Sequence, residues 1–367
     1  MERIPKLPPV VKALPQNTQR PTWSVMIPAY NCSQYLAETL ESVLSQCLPE
    51  EDMQIEVIDD HSTDADVSEL VQRIGKGRVK YHRQSKNMGS LRNFETCINR
   101  ALGHRVHILH GDDKVHPGFY KEMEMLFQNF PEAGAAFTDF YYMDENGVRN
   151  NRLEDALLQK PGILPDWLSY IAQRQRVQPP AMVVKRSVYE QLGSFYAVHY
   201  GEDWEMWARI AANYPVAHSP KRLASYRTHE TNISSTSILT GQNIRDINTV
   251  IKIIQTYLPE ESKKTLTRQA RMNFAYYFAK ASHVLYHDQG NLKSAFNQAR
   301  NLPLLHFDRQ IFKSIAMLLV KIAINYRRIS GRRVLSQANT AIRRSKPRNT
   351  EMFIQGKEHI LTLMHKG

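Results

Sequence analysis

The chain has 367 residues, of which 42% are hydrophobic and 23% are charged, an ordinary composition for a globular protein with room for two regions. Its formal net charge of +12 suits nucleic acid, an anionic membrane surface or phosphorylated substrates, and charge alone does not choose among them. Cys32, Cys47 and Cys97 form no CxxC pair, which argues against a disulfide framework or a zinc ribbon and favours a reducing compartment.

The first part of the chain predicts an arm followed by an alternating α/β region. Residues 1–21 are rich in proline and hold no apolar signal-peptide core, so they predict a flexible arm. Compact strands are predicted at 23–27, 55–58, 79–82 and 106–109. Apolar residues three and four positions apart between them indicate single helices. Such alternation favours right-handed βαβ units, and therefore a Rossmann-like, mostly parallel sheet flanked by helices.

Polar clusters follow three of these predicted strands. They are Tyr30-Asn31, Asp59-Asp60 and Asp112-Asp113. Because function in such a sheet collects at the carboxyl ends of the strands, we expect the three clusters to converge on one edge. The glycine-rich dinucleotide fingerprint and the P-loop are both absent from the sequence. Phosphate would then be held by a metal and side chains, not by a glycine cradle.

Asp112 and Asp113 form the pair with the clearest chemical implication. Adjacent carboxylates repel each other unless water, a cation or hydrogen-bond donors offset their charge. Mg²⁺ typically takes one or two carboxylates together with substrate phosphates. The alternative is that an Asp-Asp pair after a strand only forms a turn or caps a helix.

A second acidic pair, Glu202-Asp203, begins a predicted helix further along the chain. Before it, the pattern predicts a helix at 119–130, a strand at 135–137 and a hairpin turn at 144–147. Trp204 and Trp207 share a face of the helix, so we interpret them as core or pocket wall. Acids in a first helical turn are favoured by the helix dipole, and that structural role is the alternative to a catalytic one.

Beyond Thr240 the strand signals end, and residues 240–367 predict a basic helical region. Residues 311–329 place lysines and arginines around apolar positions. This pattern fits a helix that faces a core, or one that lies on a membrane surface. Basic residues at 332–333 and 343–346 would favour anionic lipid. No apolar run in the sequence reaches the roughly 18 to 20 residues of a membrane span.

Four motifs, in order, resemble the signature of family 2 glycosyltransferases with the GT-A fold. They are SVMIPAYN at 24–31, VIDDHSTD at 57–64, Asn87-x-Gly89-x-x-x-Asn93, and HGDD at 110–113. The resemblance implies a GT-A domain at 22–239 that transfers a sugar, with inversion, from a nucleotide-diphosphate sugar to an acceptor hydroxyl. A UDP-sugar, Mn²⁺ or Mg²⁺, and a role in bacterial surface polysaccharide or glycoconjugate synthesis are expected. His110 stands where the family usually has the first Asp of its D-x-D motif.

The resemblance also assigns roles to individual residues. The nucleotide-sugar would contact Pro28, Ala29, Tyr30, Asn31, Asp59, Asp60, Asn87, Gly89, Asn93, Asp112 and Arg227. Asp113, Asp112 and His229 would hold the metal. Asp203 would be the general base, and Glu202 would orient the acceptor or a neighbouring group. The polar stretch 232–237 is interpreted as a lid.

Two other classes of function compete with this interpretation. The net charge suits a nucleic-acid-binding protein, but the basic excess lies mostly in the tail and no RNA- or DNA-binding module is recognisable. A sugar-nucleotide binder without turnover is the second alternative, and the presence of Asp112, Asp113 and Asp203 argues against it. We therefore expect a cytoplasmic enzyme with a saccharide, lipid-linked or other hydroxyl acceptor and no nucleic-acid partner. The basic tail is expected to make peripheral contact with the inner face of the cell membrane.

Overall fold

A computed structural model describes residues 2–149 and 157–326 of the chain. Its strands belong to one sheet, and their order within the described residues is β3-β2-β1-β4-β8-β6-β9-β5, with β7 paired to β9. The strands are β1 Trp23–Ala29, β2 Met53–Asp59, β3 Lys80–Arg83, β4 Arg105–Ile108, β5 Lys114–Val115, β6 Ala135–Met143, β7 Gly162–Ile163, β8 Met182–Lys185 and β9 Val216–Arg227. The four strands β3, β2, β1 and β4 run parallel to one another.

The remaining strands mix the two directions: β8 is antiparallel to both β4 and β6, whereas β6 and β9 are parallel. Helices flank the sheet and a helical region follows it. They are α1 Ser33–Leu44, α2 Val67–Gly75, α3 Ser90–Arg100, α4 Phe119–Asn129, α5 Trp167–Gln173, α6 Arg186–Leu192, α7 Glu202–Asn213, α8 Ile233–Thr240, α9 Gln242–Ile254, α10 Glu260–His287, α11 Leu292–Asn301 and α12 Arg309–Ala323. The predicted fold class is confirmed.

The register of the central strands brings the polar clusters to one edge. Every residue of β1 and β2 is buried, as expected of strands covered on both faces. Ala29 pairs with Asp59 at the carboxyl ends of these strands. Past β4, the Gly111 amide donates to the Pro28 carbonyl at 3.1 Å. The segments that follow β1, β2 and β4 therefore begin side by side.

The N-terminal arm, which the sequence predicts to be flexible, makes backbone hydrogen bonds to other parts of the chain. Its Pro5 and Pro9 carbonyls each accept a backbone hydrogen bond at 2.9 Å, from Ala197 and Ser194 respectively. Val11 is only 2% exposed. A proline-rich stretch cannot donate from its prolines, but its extended carbonyls are good acceptors. Composition alone did not reveal those partners.

The described residues divide into two compact units. One comprises the described residues up to 229 together with Ile253–Pro259, and the other comprises Glu230–Lys252 with the described residues from 260 to 326. The predicted boundary at 239/240 thus differs from the division at 229/230.

The second unit packs Ile238 of α8 against α10, α11 and α12 around Leu285, Ala295 and Leu318. The stretch interpreted as a polar lid loop is largely the helix α8, since the Asn232 side chain accepts a hydrogen bond from the Ser235 amide at 2.7 Å and caps it. In the part of the chain that the structure describes, no helix combines the length and the apolar character needed to cross a membrane.

Candidate active site

The loops that follow β1 and β2 hold each other in place. Asn31 has a positive φ of 47°, which Asn tolerates better than most residues. Its side-chain oxygen accepts the Thr63 amide hydrogen bond at 2.8 Å, and its own amide donates to Ser62 Oγ at 3.0 Å. Tyr30, just before it, is 51% exposed. The predicted contacts Tyr30 and Asn31 are thus presented at the edge of the sheet, with the backbone between them fixed.

Asp59, at the end of β2, holds the loop that follows this strand. Its carboxylate is fully buried and accepts hydrogen bonds at 2.8 Å from the Ser62 amide, Tyr81 OH and Arg83 Nη1. These protein donors occupy both oxygens. Asp59 therefore shapes the predicted nucleotide site by holding its loop.

Asp60 joins the loop after β2 to the start of α3. Its two carboxylate oxygens accept the Met88 and Gly89 amides at 2.6 and 2.8 Å, and Asn87 Nδ2 donates to its carbonyl at 3.3 Å. Burial raises the pKa of Asp60, and the two amide hydrogen bonds oppose that rise. The Asp60 amide in turn donates to the Ala29 carbonyl at 2.8 Å. The structure thus brings together four of the residues predicted to bind the nucleotide.

Asn93 completes this part of the site from within α3. It is 2% exposed, and its Nδ2 donates to the Ile58 carbonyl at 2.8 Å. Its side-chain oxygen accepts from Gln84 Nε2 at 3.3 Å. The third residue of the Asn87-Gly89-Asn93 motif is therefore buried and joins α3 to β2 by a hydrogen bond.

His110, Asp112 and Asp113 form a candidate metal centre. Their ligand atoms all lie within 4.8 Å of one another. Asp113 is 1% exposed; its Oδ1 accepts the Arg227 amide at 2.8 Å, while Oδ2 has no hydrogen-bond partner among the described residues. A buried carboxylate oxygen without a partner is costly, and a cation would satisfy it. The donor set therefore fits a divalent metal.

The pKa values of the two carboxyl groups shift in opposite directions. Burial, together with the charge of Asp112, raises the pKa of Asp113 well above its ordinary value. Burial also raises the pKa of Asp112, but the hydrogen bond from His229 opposes this, and the pKa of that carboxyl lies below its ordinary value. The repulsion within the pair, which suggested a metal from the sequence, is thus present in the fold.

His110 is a candidate ligand that the sequence argument did not assign. Its ring stacks on Phe94, with centroids 5.3 Å apart and planes 7° from parallel. Burial lowers the pKa of His110, which favours the neutral imidazole that binds metals. The sequence feature that could have identified His110 is its position two residues before Asp112. That position was interpreted only as a departure from the D-x-D motif.

Arg227, at the end of β9, holds residues 110–113, the candidate metal loop, in place. Its Nε donates to the Asp112 carbonyl at 2.7 Å, and Nη1 donates to the Asp144 and Glu145 carbonyls at 3.3 and 3.2 Å. Nη2 pairs with Glu38. These donors are used within the protein, so Arg227 fixes this loop, and its contact with a nucleotide-sugar stays a prediction.

His229 lies beside the carboxylates but outside the three-residue cluster. Its Nε2 is 2.9 Å from Asp112 Oδ2, and its ring is 5.0 Å from that of Tyr35. Among the described residues the compact ligand set is His110, Asp112 and Asp113. His229 remains a predicted ligand that reaches the cluster through Asp112.

Glu38 of α1 is a member of the site that sequence analysis missed. It pairs with both Lys114 and Arg227. Burial opposes ionisation of Glu38, but the Lys114 and Arg227 cations lower its pKa below the ordinary value. Nothing in the local sequence marks Glu38, because its partners lie 76 and 189 positions away.

Glu202 and Asp203 form a separate acidic position at the start of α7. Asp203 Oδ2 accepts from Gln175 Nε2 at 2.5 Å, and Oδ1 accepts the Trp204 amide at 2.8 Å. Burial raises the pKa of Asp203 to about 6, against the lowering effect of these hydrogen bonds. Glu202 is 8% exposed. A half-buried carboxylate that is still ionised at neutral pH has the properties of a general base.

The tryptophans beside this acidic pair are core residues, as interpreted from the sequence. Trp204 is fully buried, Trp207 is 2% exposed, and the Trp204 indole donates to the Ile171 carbonyl at 2.6 Å. They fix the first turn of α7 against α5. The position of Asp203 is therefore set by packing as well as by hydrogen bonds.

Comparison with known proteins gives a family match to part of the chain. The model of "Glycosyl transferase family 2" matches residues 24–193. An uncharacterized glycosyltransferase of Haemophilus influenzae is 23% identical over 222 residues, which is 59% of this chain and 68% of the relative.

Solved structures resemble the fold across most of the chain. TarS 1-349 of S. aureus in complex with UDP-GlcNAc has a TM-score of 0.60 at 16% identity, covering 85% of this chain and 92% of that one. A mannosyltransferase of Pyrobaculum calidifontis, PcManGT, in complex with GDP-Man and Mn²⁺ has a TM-score of 0.52 at 15% identity, covering 98% and 88%. At these identities the likeness concerns the fold.

Proposed function

We propose that this chain transfers a sugar, with inversion, from a UDP-sugar to an acceptor hydroxyl. The premise is that the chain belongs to glycosyl transferase family 2 and is a glycosyltransferase. The observation that carries the proposal is Asp113 Oδ2, which is buried beside Asp112 and His110 and has no hydrogen-bond partner among the described residues. A site for a hard cation at the carboxyl edge of the sheet is what a diphosphate leaving group requires.

His110, Asp112 and Asp113 would hold Mn²⁺ or Mg²⁺. When bound, the metal would neutralise the charge that grows on the diphosphate as the glycosidic bond to it breaks. Arg227 keeps the two carboxylates in position through its contacts with Asp113 Oδ1 and the Asp112 carbonyl. The imidazole nitrogen of His110 favours Mn²⁺ over Mg²⁺, because Mg²⁺ prefers oxygen ligands.

Asp203 would accept the proton of the acceptor hydroxyl as its oxygen bonds to the anomeric carbon. The bond from that carbon to the diphosphate breaks at the same time, so the anomeric configuration inverts. Gln175 orients the carboxylate of Asp203, and Glu202 would orient the acceptor. A positioned base of this kind typically contributes ~10²–10⁴-fold in rate.

The test is transfer and donor hydrolysis with UDP-, GDP- and dTDP-sugars, each with Mn²⁺, Mg²⁺ or a chelator, followed by NMR of the product anomer. We expect turnover with a UDP-sugar, faster with Mn²⁺, and an inverted product. Turnover that a chelator leaves unchanged would overturn the metal assignment. A product with retained configuration would overturn the role of Asp203.

The acceptor that we propose is a saccharide or lipid-linked hydroxyl at the inner face of the cell membrane, in bacterial surface polysaccharide or glycoconjugate synthesis. The support is the outer face of α12 and the residues after it, where Phe312, Met317, Val320 and Ile324 are 52–58% exposed. Arg309, Lys313 and Lys321 lie on the same helix, which has no acidic residue. An apolar face beside cations is typical of helices that lie in an anionic membrane surface. The predicted basic stretches at 332–333 and 343–346 lie outside the described residues.

Sedimentation with vesicles tests this contact. Binding should need anionic lipid, weaken with salt, and fall in Val320→Asp but not in Val148→Asp, a change at an exposed position in the other unit. Equal binding to neutral vesicles, or none to either kind, would remove the membrane proposal. Light scattering would then show whether the face joins two copies of the chain.

A further inference from the structure

The N-terminal arm brings a cation to the residues predicted to bind the nucleotide. Arg3 Nη2 donates to Asn87 Oδ1 at 2.5 Å. A Cβ built on Gly89 would lie 3.2 Å from Arg3 Nε and 3.4 Å from Nη2. The guanidinium therefore lies over the Asn87-Met88-Gly89 turn, whose amides hold both oxygens of Asp60. Arg3 lies outside the stretch 24–193 that matches the family.

The arm is held on both sides of Arg3. Before it, the Glu2 carbonyl accepts from Arg92 Nε at 2.8 Å. After it, the buried Pro5 accepts the Ala197 amide at 2.9 Å. Since the backbone is fixed one residue before Arg3 and two residues after it, the position of Arg3 is built into the fold.

The side chain retains hydrogen-bonding capacity. A guanidinium carries five N–H donors, and Asn87 accepts from one nitrogen of Arg3. Arg3 is exposed, so its other donors can reach a ligand. Its charge also lowers the pKa of Asp60, an effect smaller than burial and the amide hydrogen bonds. The turn thus offers donors from Arg3 beside the acceptor oxygens of Asp60 and Asn87.

We propose that Arg3 is a specificity-determining residue that reads the base of the donor nucleotide, an inference that rests on the proposed function. Donors beside acceptors complement the imide edge of uracil, where an N–H lies between two carbonyls. Cytosine offers the reverse pattern, an amino group where uracil has a carbonyl and a bare ring nitrogen where uracil has N–H. Arg3 therefore favours UDP over CDP, which carry the same ribose and phosphates.

Calorimetric titration of the full chain with UDP and CDP, in Mn²⁺, tests the proposal. Arg3→Ala should weaken UDP binding by roughly 5- to 30-fold and leave CDP binding nearly unchanged, because a good base contact is worth about 1–3 kcal/mol of discrimination. Lys6→Ala, which removes a charge from the same arm at a residue paired only with Glu2 among the described contacts, should change neither. Arg3→Ala should raise the donor KM and leave kcat in place.

The outcomes separate the two hypotheses. If Arg3→Ala weakens UDP binding and CDP binding equally, Arg3 acts on the phosphates or on folding. If neither affinity changes, Arg3 has no role in binding. Either result overturns the inference while the proposed function stands. If the wild-type chain binds neither nucleotide but does bind another nucleoside diphosphate, the uracil assignment fails for both. If it binds none, the proposed function itself fails.

Discussion

The two carboxylate oxygens of Asp113 have different surroundings, and this difference marks the residue as a candidate metal ligand. Oδ1 is held by the Arg227 amide, whereas Oδ2 lacks a hydrogen-bond partner within residues 2–149 and 157–326. Burial and the charge of the neighbouring Asp112 raise the pKa of Asp113, so both disfavour its ionisation when no cation is bound. The carboxylate of Asp113 therefore favours metal binding but lowers the stability of the metal-free protein.

Asp113→Asn should reveal that opposition. The amide keeps the shape but removes the charge, so Mn²⁺ affinity should fall at least ~10-fold, while the melting temperature without metal is unchanged or rises. Calorimetry and thermal denaturation with and without Mn²⁺ measure the two effects. Asp52→Asn, at an exposed position away from the cluster, is the control. Unchanged Mn²⁺ affinity in Asp113→Asn would place the metal elsewhere.

Asp203 should control the acid limb of the pH profile. Its pKa of about 6 means that the carboxylate can accept a proton above that pH and is protonated below it. The kcat/KM value should therefore fall about tenfold per pH unit below 6. Gln175→Ala removes a hydrogen bond that lowers this pKa, so the limb should move to higher pH, while Gln173→Ala leaves it in place. A limb that stays fixed in Gln175→Ala would contradict the assignment, as would near-native kcat in Asp203→Asn.

At the scale of elements, the end of β1 and the turn after β4 pack without room for a side chain. A Cβ on Gly111 would lie 2.8 Å from Cys32 Sγ and 3.3 Å from the Pro28 carbonyl. The same close approach permits the Gly111–Pro28 hydrogen bond, which aligns the candidate metal loop with the loop after β1. The glycine is thus required by packing between two elements.

Gly111→Ala should lower the free energy of unfolding by about 1–3 kcal/mol, because the added methyl overpacks this contact. Cys32→Ala in the same chain removes the sulfur and should restore part of the loss. Urea denaturation of both single variants and the double variant gives the coupling free energy. Additive effects would show that the alanine is resisted by the backbone at Pro28 and not by Cys32.

The sequence predicted elements and clusters that depend on nearby residues. β1 and β2 carry β-branched and other apolar residues between turn signals, and Asp112 and Asp113 of the candidate metal cluster are adjacent in the sequence. The contacts of Glu38 with Arg227, and of the arm with Ala197, join residues far apart in the chain. Such partners depend on the assembled sheet, and a single sequence carries no periodic signal for them.

At the scale of the whole molecule, the chain passes between the two compact units more than once. Ile253–Pro259 belongs to the unit that contains the sheet, although the residues before and after it belong to the other unit. Tyr257 in this short segment donates to Glu205 Oε1 at 2.5 Å, and Glu205 also pairs with Arg209 at 3.0 Å. Glu205 lies on α7, two residues after Asp203. The return segment therefore stabilises the helix that carries the proposed base.

Tyr257→Phe should lower the free energy of unfolding by about 1–3 kcal/mol, because a fully buried Glu205 loses one of its two hydrogen-bonding partners among the described side chains. Tyr170→Phe, at a residue that is 48% exposed, is the matched control and should have little effect. A chain that ends at residue 239 lacks the whole segment and should be less stable than one that ends at 259. Equal melting temperatures of the two shortened chains, together with a neutral Tyr257→Phe, would show that the return segment is only a connection.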